Sequence, residues 1–584
     1  MAELTGIAFL LLSFDGVASG GVFGSGSATL RTSKAAVRFG QSAALHGKLS
    51  ERTPCVTGRT VTLEAMREAE VVWVQVASKQ TDADGVYSFS VTPEHTRTYR
   101  VSIPEEVRGG RTCSRAISPE ARVAVAVRVD VRLPRARVAA GQCAPIDATV
   151  APPKPSTRVQ LEERGEQGWR RLDSEVLSDA SEARIEWCSG WESIGNTRLR
   201  VRWPVQDGFN DAGVSRTVVV NVRKAAWMRQ IDRSASGRSV GISVRDAGTF
   251  LYRRADERSR TPASNQKLVL SMALLDSLGP AFRLQTLGAA SQVESGVVRG
   301  TLWILGRGDP RGSSGTMDRL ARALAAAGVE SIAGDVKGST GYFGRDWFAP
   351  GWKREYPGRE VALPTALTFG ENRSPNPERE AAAALVRSLR AEGISVGGVP
   401  GAGAAPDGLE TIASVGSASL EALLRYQNVT SSNFYAEVLG KRLGIEHAGV
   451  PGTIAKGAGA AEAWAGQQGV PLAAYDSSGL SARNAVSSSG LVRLLGIAER
   501  ADWGDEFRET LPHGGQGTLQ HRLTGVPIRA KTGTLSGVSA LSGYVWLDHR
   551  DVWAEFAILS SGMDKDQAAD LEDRIVRILA RRAG

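Results

Sequence analysis

Residues 262–268 carry the sequence Pro-Ala-Ser-Asn-Gln-Lys-Leu and are followed immediately by an apolar pattern of helical period. A serine at the start of such a helix has the lysine three positions later beside it, because residues three apart share a helix face. Backbone amides at the helix start also stabilise negative charge. The stretch therefore predicts a nucleophilic hydroxyl on Ser264 with the Lys267 amine next to it.

A second lysine motif, Lys531-Thr532-Gly533-Thr534, lies just before the strand-like stretch 538–545. A lysine removes a proton from a hydroxyl only if burial or another cation lowers its pKa, and Lys531 is such a cation. Glycine in a strand permits close approach of a substrate backbone. The remaining motif, Ser431-Ser432-Asn433, supplies a hydroxyl and an amide able to bridge the two lysines.

From about residue 225 onward, Ala/Leu-rich helical patterns alternate with short strand patterns. The predicted helices span residues 268–278, 317–327, 378–391 and 420–443. The predicted strands span residues 240–244, 300–305 and 541–547. We therefore predict an α/β catalytic domain over residues 226–584.

The preceding part of the chain, residues 26–225, has the alternating pattern of strands separated by turn residues. Its Asp84-Gly85 pair is typical of a tight hairpin turn. The pattern repeats after about 100 residues, since Val159-Gln160-Leu161-Glu162 echoes Val61-Thr62-Leu63-Glu64 and Trp169 echoes Trp73. This length matches an immunoglobulin-like β-sandwich. We predict two in tandem, residues 26–128 and 129–225.

All four cysteines lie in this part of the chain, and no Cys-x-x-Cys pair points to zinc or redox chemistry. Disulfides fit better, and they indicate an exported protein. Pairing Cys55 with Cys113 and Cys143 with Cys188 would place one bridge in each module, but four cysteines allow three connectivities.

Residues 1–25 contain a short apolar run without a basic residue before it. The run fits an atypical signal segment or an apolar first strand. No later apolar stretch reaches the roughly 20 residues of a membrane helix. We therefore expect an exported protein located outside the cytoplasm, in the cell wall, in the periplasm or secreted.

The chain has 584 residues and a net charge of +9, with basic residues spread along its length. Such a surface suits anionic cell-wall polymer or a membrane surface. Nucleic acid is not an expected partner, because no basic helix, zinc spacing or aromatic stacking motif accompanies the charge. The six histidines show no metal-ligand spacing, so we expect no metal and no cofactor.

Taken together, the three motifs resemble those of the low-molecular-mass class C penicillin-binding proteins, the D-Ala-D-Ala carboxypeptidase and endopeptidase family. The resemblance runs from about residue 230 to the C-terminus, and the long gap between Ser264 and Ser431 is typical of this family. Ser432 departs from the aspartate common at that position. Four further stretches carry the likeness: Gly308-Asp309-Pro310, residues 476–481, Gly517-Thr518-Leu519 and residues 531–541.

The resemblance implies a multidomain chain in which the sandwiches precede a penicillin-binding-protein/β-lactamase-like transpeptidase fold with an insertion at about 290–420. It also implies a serine-type D-Ala-D-Ala carboxypeptidase, with D,D-endopeptidase action also open, that cleaves peptidoglycan stem peptides and is inhibited by β-lactams. The implied catalytic residues are Ser264, Lys267, Ser431, Asn433 and Lys531. The implied substrate-binding residues are Thr532, Gly533 and Thr534.

Two alternatives remain open on the sequence alone. A β-lactamase or esterase on the same scaffold would share the acylation step and differ in fast deacylation. A non-catalytic cell-wall binding protein would use the sandwich modules and the basic surface for wall polymer contact.

Overall fold

The computed structural model describes residues 26–582, so the predicted signal segment 1–25 lies outside the described residues. The chain forms two compact units. The first comprises the residues up to Val138, Gln142–Ser189 and Gly195–Arg223, and the second comprises Lys224 onward with two short segments, 139–141 and 190–194.

The first half of the first unit is a β-sandwich. Its strands are β1 (Ser27–Ala28), β2 (Arg31–Thr32), β3 (Ala36–Arg38), β4 (Ala43–Ser50), β5 (Thr60–Arg67), β6 (Val74–Gln80), β7 (Val86–Val91), β8 (Arg97–Ile103), β9 (Glu106–Arg108), β10 (Arg111–Cys113), β11 (Ala116–Ile117) and β12 (Ala121–Ala126). One sheet has the order β1-β4-β2 with β7 beside β4, and the other has the order β3-β12-β8-β5-β6 with β11 beside β8. Leu45 and Phe89 of the first sheet share a core with Val61, Leu63 and Val101 of the second, as the alternation in β5 requires.

The hairpin predicted at Asp84-Gly85 is wrong. A tight turn does form there, with Gly85 at a φ of 80° and Asp82 Oδ1 accepting the Val86 N–H. However, β6 pairs with β5 and β7 pairs with β4, so the turn carries the chain from one sheet to the other. A turn signal fixes the local backbone but not the partner of the next strand.

A second sandwich follows. Its strands are β13 (Arg128–Arg132), β14 (Arg137–Ala139), β15 (Cys143–Ala151), β16 (Arg158–Gly165), β17 (Gly168–Val176), β18 (Glu182–Cys188), β19 (Gly195–Trp203), β20 (Gly213–Val214) and β21 (Val218–Arg223). The two sheets have the orders β13-β15-β18 and β14-β21-β19-β16-β17. Cys55 is bridged to Cys113 in the first sandwich, and Cys143 to Cys188 in the second.

The sequence repeat extends to side-chain contacts. In the first sandwich, Arg100 pairs with Glu64 at 2.7 Å and its guanidinium lies 4.1 Å from the centre of the Trp73 ring. In the second, Arg200 pairs with Glu162 at 2.6 Å and lies 4.2 Å from the centre of the Trp169 ring. Each arginine therefore joins a carboxylate to an aromatic face at the same place in its own module.

The second unit contains three β-sheets of three or more strands and most of the helices. Its elements are α1 (Ala226–Ser234), β22 (Ser239–Asp246), β23 (Thr249–Arg254), α2 (Gln266–Leu278), β24 (Gln285–Ala290), β25 (Val293–Glu294), β26 (Val297–Val298), β27 (Leu302–Gly306), α3 (Ser314–Ala326), β28 (Ser331–Ile332), β29 (Val336–Ser339), α4 (Pro377–Ala391), β30 (Ser395–Val396), β31 (Pro400–Gly403), β32 (Glu410–Gly416), α5 (Leu420–Thr430), α6 (Asn433–Ala448), α7 (Ile454–Gln467), β33 (Leu472–Ala473), β34 (Ala485–Val486), α8 (Ser488–Ala498), α9 (Gly504–Thr510), β35 (Ile528–Leu535), β36 (Val538–Leu547), β37 (Val552–Ser561) and α10 (Lys565–Arg582). Three short 3₁₀ helices lie at Ala263–Asn265, Gly370–Asn372 and Gly517–Leu519.

The catalytic body of this unit is organised around one antiparallel sheet of order β23-β22-β37-β36-β35. Its strands come from both ends of the unit, because β22 pairs with β37. Leu491 and Leu495 of α8 share a core with Tyr544 of β36 and with the helices α2, α5, α6, α7 and α9. The sheet and these helices hold the three motifs.

A separate lobe is formed by the part of the sequence between the Ser264 motif and the Ser431 motif. It contains a sheet of order β31-β29-β27-β24-β32 and a smaller one of order β25-β26-β28-β30. Helices α3 and α4 pack on them, with Leu320, Leu385 and Ile304 in one core. No helix within residues 26–582 is long and apolar enough to cross a membrane.

Candidate active site

Ser264 lies in the one-turn helix Ala263–Asn265 that leads into α2. Ala263 before it has a φ of 48°, a left-handed conformation that is strained for a residue with a side chain. Asn265, fully buried, fixes this turn to the central sheet by donating from Nδ2 to Ser542 Oγ at 2.8 Å. The half-buried Ser264 hydroxyl is thereby held at the start of α2.

Lys267 has no exposed surface and lies beneath this hydroxyl. Its Nζ donates to Ser264 Oγ at 3.0 Å, to Asn433 Oδ1 at 2.9 Å and to the Ser478 carbonyl. Burial lowers the pKa of Lys267 to about 8, against the opposing charges of Asp476 and Glu437. A neutral amine is therefore accessible near physiological pH, as proton abstraction requires.

Ser431 breaks the helix that was predicted over 420–443. It adopts a left-handed conformation, with a φ of 58° and a ψ of 33°, and ends α5. Ser432 then starts α6, because its side chain accepts the Tyr435 N–H at 3.2 Å. The hydroxyl of Ser432, found where aspartate is common, is thus a helix cap. The continuous helix is wrong because apolar periodicity continues across a two-residue break.

Lys531 lies in β35 and is also fully buried. Its Nζ donates to Ser431 Oγ at 2.8 Å and to the Thr532 carbonyl at 2.9 Å. Burial lowers its pKa well below the ordinary value, and the charge of Lys267 adds to this effect. Each lysine therefore has its own hydroxyl: Lys267 has Ser264, and Lys531 has Ser431.

Gly533 has a structural reason to lack a side chain. A Cβ at this position would lie 2.7 Å from the Pro262 carbonyl oxygen and 3.1 Å from the Ser264 nitrogen. The strand β35 thus packs directly against the turn that holds Ser264. The neighbouring Thr532 is hydrogen-bonded through Oγ1 to Thr518 Oγ1 at 2.7 Å, which joins the Gly517–Leu519 turn to the same strand.

These residues surround a cleft of about 760 Å³. Motif residues that line it are Ser264, Ser431, Asn433, Thr532 and Thr534. Another part of the cleft wall consists of Lys353, Tyr356, Arg359 and Glu360, from the long connection after β29. Asn433 reaches that wall by donating from Nδ2 to the Glu360 carbonyl at 3.0 Å. Lys267, Lys531 and Gly533 lie behind the lining rather than in it.

Residues singled out by sequence outside the three motifs have mainly structural contacts. Asp476 accepts from Trp352 Nε1 at 2.6 Å and from the Ser481 N–H at 2.7 Å, which closes the 476–481 loop. Asp309 accepts the Arg311 N–H and lines a different cavity. A further residue of the cleft lining, Arg522, pairs with Glu572 and Asp573. Within residues 26–582 no group of three or more His, Cys, Asp or Glu side chains is placed to hold a metal ion.

The sequence analysis missed one direct partner of Lys267 and one residue that holds that partner. The Ser478 carbonyl accepts from Lys267, and the buried carboxyl of Glu437 accepts the N–H of Ser478 at 2.7 Å. A backbone carbonyl leaves no mark in a sequence. Glu437 did leave one, since it is an acidic residue four positions after Asn433 and four before Lys441, on one face of the helix.

Residues 225–365 and 362–582, more than half of the chain, match the D-Ala-D-Ala carboxypeptidase 3 (S13) family. The chain belongs to this family. It is therefore a serine hydrolase with a D-Ala-D-Ala carboxypeptidase activity directed at peptidoglycan, and the predicted resemblance to the class C penicillin-binding proteins is confirmed.

Individual relatives agree with this assignment. A D-alanyl-D-alanine carboxypeptidase from an Actinomadura species is 29% identical over 455 residues, covering 60% of this chain and 83% of that protein. Carboxypeptidase DacB from Mycolicibacterium smegmatis is 28% identical over 358 residues, covering 55% of this chain and 75% of that protein. The crystal structure of penicillin binding protein 4 (dacB) from Haemophilus influenzae shares the fold. Its TM-score is 0.53 at 19% identity, over 61% of this chain and 99% of that one.

Proposed function

We propose that the enzyme cleaves the bond between the two terminal D-alanines of a peptidoglycan stem peptide through an acyl-enzyme on Ser264. The observation that carries this proposal is the 3.0 Å contact between Ser264 Oγ and the fully buried amine of Lys267. Neutral Lys267 takes the Ser264 proton as Oγ attacks the carbonyl carbon. The cleft beside Ser264 leaves space for the stem peptide.

The tetrahedral intermediate is first stabilised and then breaks down. The backbone N–H groups of Ser264 and Thr534 stabilise its oxyanion, and Asn433 holds Lys267 and the substrate amide. Ser431, hydrogen-bonded to Lys531, passes a proton to the leaving amine as the C–N bond breaks. Thr532 and Thr534, which line the cleft, bind the terminal carboxylate, and Lys531 behind them contributes its charge.

Ser431 is reprotonated by Lys531. Water then attacks the ester carbonyl and returns a proton through Ser431 to the Lys531 amine. Lys267 gives its proton back to Ser264 Oγ as the C–O bond breaks, which releases the shortened peptide and restores Ser264 and both lysines.

A β-lactam acylates the same serine, and its opened ring stays attached and obstructs deacylation. Incubation of the wild type and Ser264→Ala with a fluorescent penicillin, followed by intact mass and D-Ala release from a stem pentapeptide, tests the proposal. We expect one stable adduct and D-Ala release for the wild type, and neither for Ser264→Ala. Ser388→Ala, in the hydrogen-bonded interior of the inserted lobe, is the matched control and keeps both.

The same assay separates the alternatives. Rapid penicillin hydrolysis without a lasting adduct would identify a β-lactamase. Intact penicillin with no adduct would point to the non-catalytic wall-binding protein. Release of free stem peptides from a cross-linked dimer would add endopeptidase action to the carboxypeptidase activity.

We also propose that the two sandwiches are immunoglobulin-like modules of an exported enzyme and that they contact anionic wall polymer. Two disulfides, both within the first unit, support export. Co-sedimentation of Ser264→Ala with purified cell walls tests the contact, since this variant leaves the wall undigested. We expect binding that weakens with salt and is lost on disulfide reduction, while wild-type penicillin acylation survives reduction. Binding that is unchanged by both salt and disulfide reduction would refute a role for the modules in wall contact.

A further inference from the structure

One face of helix α6 carries three polar side chains at four-residue spacing: Asn433, Glu437 and Lys441. Asn433 accepts from Lys267. Lys441, fully buried, donates to the Gly344 carbonyl at 2.8 Å and to Asp346 Oδ1 at 2.7 Å, and so holds the connection after β29. Glu437 lies between them and belongs to no motif that points to a function.

Glu437 has no exposed surface. Its Oε1 accepts the N–H groups of Ser477 at 3.1 Å and Ser478 at 2.7 Å, whereas its Oε2 has no hydrogen-bond partner among the described residues. Burying a carboxyl with one oxygen unsatisfied costs free energy. The two amides it binds belong to the loop whose Ser478 carbonyl accepts from Lys267.

The backbone around Glu437 leaves this loop little freedom. Gly440, one turn along α6, faces Ser477 so closely that a Cβ there would collide with Ser477 Oγ. Gly479 has a φ of 86° and packs against the Ala263 carbonyl of the nucleophile turn. The loop therefore lies between α6 and the nucleophile turn, and the Glu437 carboxyl sets its orientation by binding two consecutive amides.

We propose that Glu437 is a positioning residue that fixes the Ser478 carbonyl against Lys267 and, through its own charge, sets the proton affinity of the Lys267 amine. This rests on the proposed function, in which Lys267 is the base. The charged groups that face Glu437 are Lys267 from α2, Asp476 from the loop and Lys441 from α6 itself.

The charges of these groups are coupled. Burial raises the pKa of Glu437 to about 8, with a further increase from Asp476, and burial lowers the pKa of Lys267 to about 8. Both groups thus titrate in the same pH range and behave as a pair. An ionised Glu437 favours the protonated form of Lys267, so removing the carboxylate charge favours the neutral amine that accepts the Ser264 proton.

Two substitutions separate charge from position. Glu437→Gln keeps an oxygen for the two amides but removes the charge, so we expect the acid limb of penicillin acylation to move to lower pH by roughly half a unit or more. Glu437→Ala releases the loop as well, and we expect acylation to slow by about tenfold or more at every pH, since small misplacements of catalytic groups have effects of this size. Stopped-flow acylation from pH 6 to 10 measures both.

Glu555→Gln is the matched control. Glu555 is also a buried glutamate with an unpartnered Oε2 and a pKa raised by burial, but it lies on β37 outside the cleft lining. We expect this variant to keep the wild-type acid limb. A wild-type limb in Glu437→Gln, with Ser264 still forming its adduct, overturns the inference while the proposed function stands. Failure of Ser264 itself to form an adduct overturns the proposed function instead. If Glu437→Ala does not fold, the Glu437→Gln profile decides alone.

Discussion

Lys531 donates a hydrogen bond to Ser431 over 2.8 Å, so the second buried cation of the cleft serves a hydroxyl of its own. The nucleophile and the proposed proton donor to the leaving group are therefore supported by separate lysines. One lysine acting for both steps would have to lose and regain a proton in each half of the reaction, whereas two lysines allow the two hydroxyls to hold different protonation states.

The neighbouring serines Ser431 and Ser432 should respond differently to alanine substitution. Ser431→Ala removes the hydroxyl next to Lys531, and we expect acylation to fall by about 10²-fold or more, the usual range for loss of a proton-transfer group. Ser432→Ala removes only the N-cap of α6 and should cost about 1 kcal/mol of stability while acylation persists. Penicillin acylation rates and thermal unfolding of both variants check this. Equal losses of activity would contradict the separate roles.

Acylation should rise as the pH is raised through about 8. Burial holds the pKa of Lys267 near that value, and only the neutral amine takes the Ser264 proton. Below that pH the amine is protonated and the rate falls. Rates of penicillin acylation measured from pH 6 to 10 give the profile, with unfolding followed at each pH. A rate that is constant across this range would exclude Lys267 as the base.

The close contact at Gly440 predicts a position-specific response to alanine. Gly440→Ala drives a Cβ into Ser477, and we expect a loss of about 2 kcal/mol, typical of overpacking. Gly459→Ala, on an exposed face of α7 with open space around it, should instead stabilise the protein by about 1 kcal/mol through helix propensity. Chemical denaturation of the two variants measures both signs. If both substitutions destabilise the protein, the contact between residue 440 and Ser477 is not the cause of the loss in Gly440→Ala.

Two arginines, Arg522 just before strand β35 and Arg529 within it, should contribute differently to the free energy of unfolding. Arg522 pairs with Glu572, whose side chain is 1% exposed, and Arg522→Met leaves that carboxyl buried without its partner at a cost of about 3 kcal/mol. Arg529 pairs with the half-exposed Glu509, and Arg529→Met should cost at most about 1 kcal/mol. Differential scanning calorimetry compares them. Similar losses for the two would mean that the burial of Glu572 has no effect.

Much of this site could be predicted because short motifs mark its chemistry. Ser264 and Lys267 are three residues apart on one helix, so local geometry alone brings them together. The contact between Lys531 and Ser431 depends on how strand β35 meets the junction of α5 and α6. No local sequence pattern encodes that meeting. The Ser478 carbonyl was missed for the same reason, whereas Glu437 was missed although its spacing from Asn433 marks it.

The fold shows the same division. Alternation in stretches such as β5 predicted strands in the first sandwich, and the repeat predicted equivalent strands in the second. The sheet that β7 joins could not be predicted, because pairing is decided by contacts distant in sequence. The break at Ser431 was missed because one left-handed residue has no periodic signature.

The pairing of β22 with β37 has a consequence for synthesis. Strand β22 leaves the ribosome more than 300 residues before its partner β37. Strand β35, which carries Lys531, also belongs to this late part of the chain. Pairings between such distant segments form slowly. A nascent chain therefore has Ser264 and Lys267 long before it has a complete cleft, so the hydrolase stays inactive until β35, β36 and β37 have been translated.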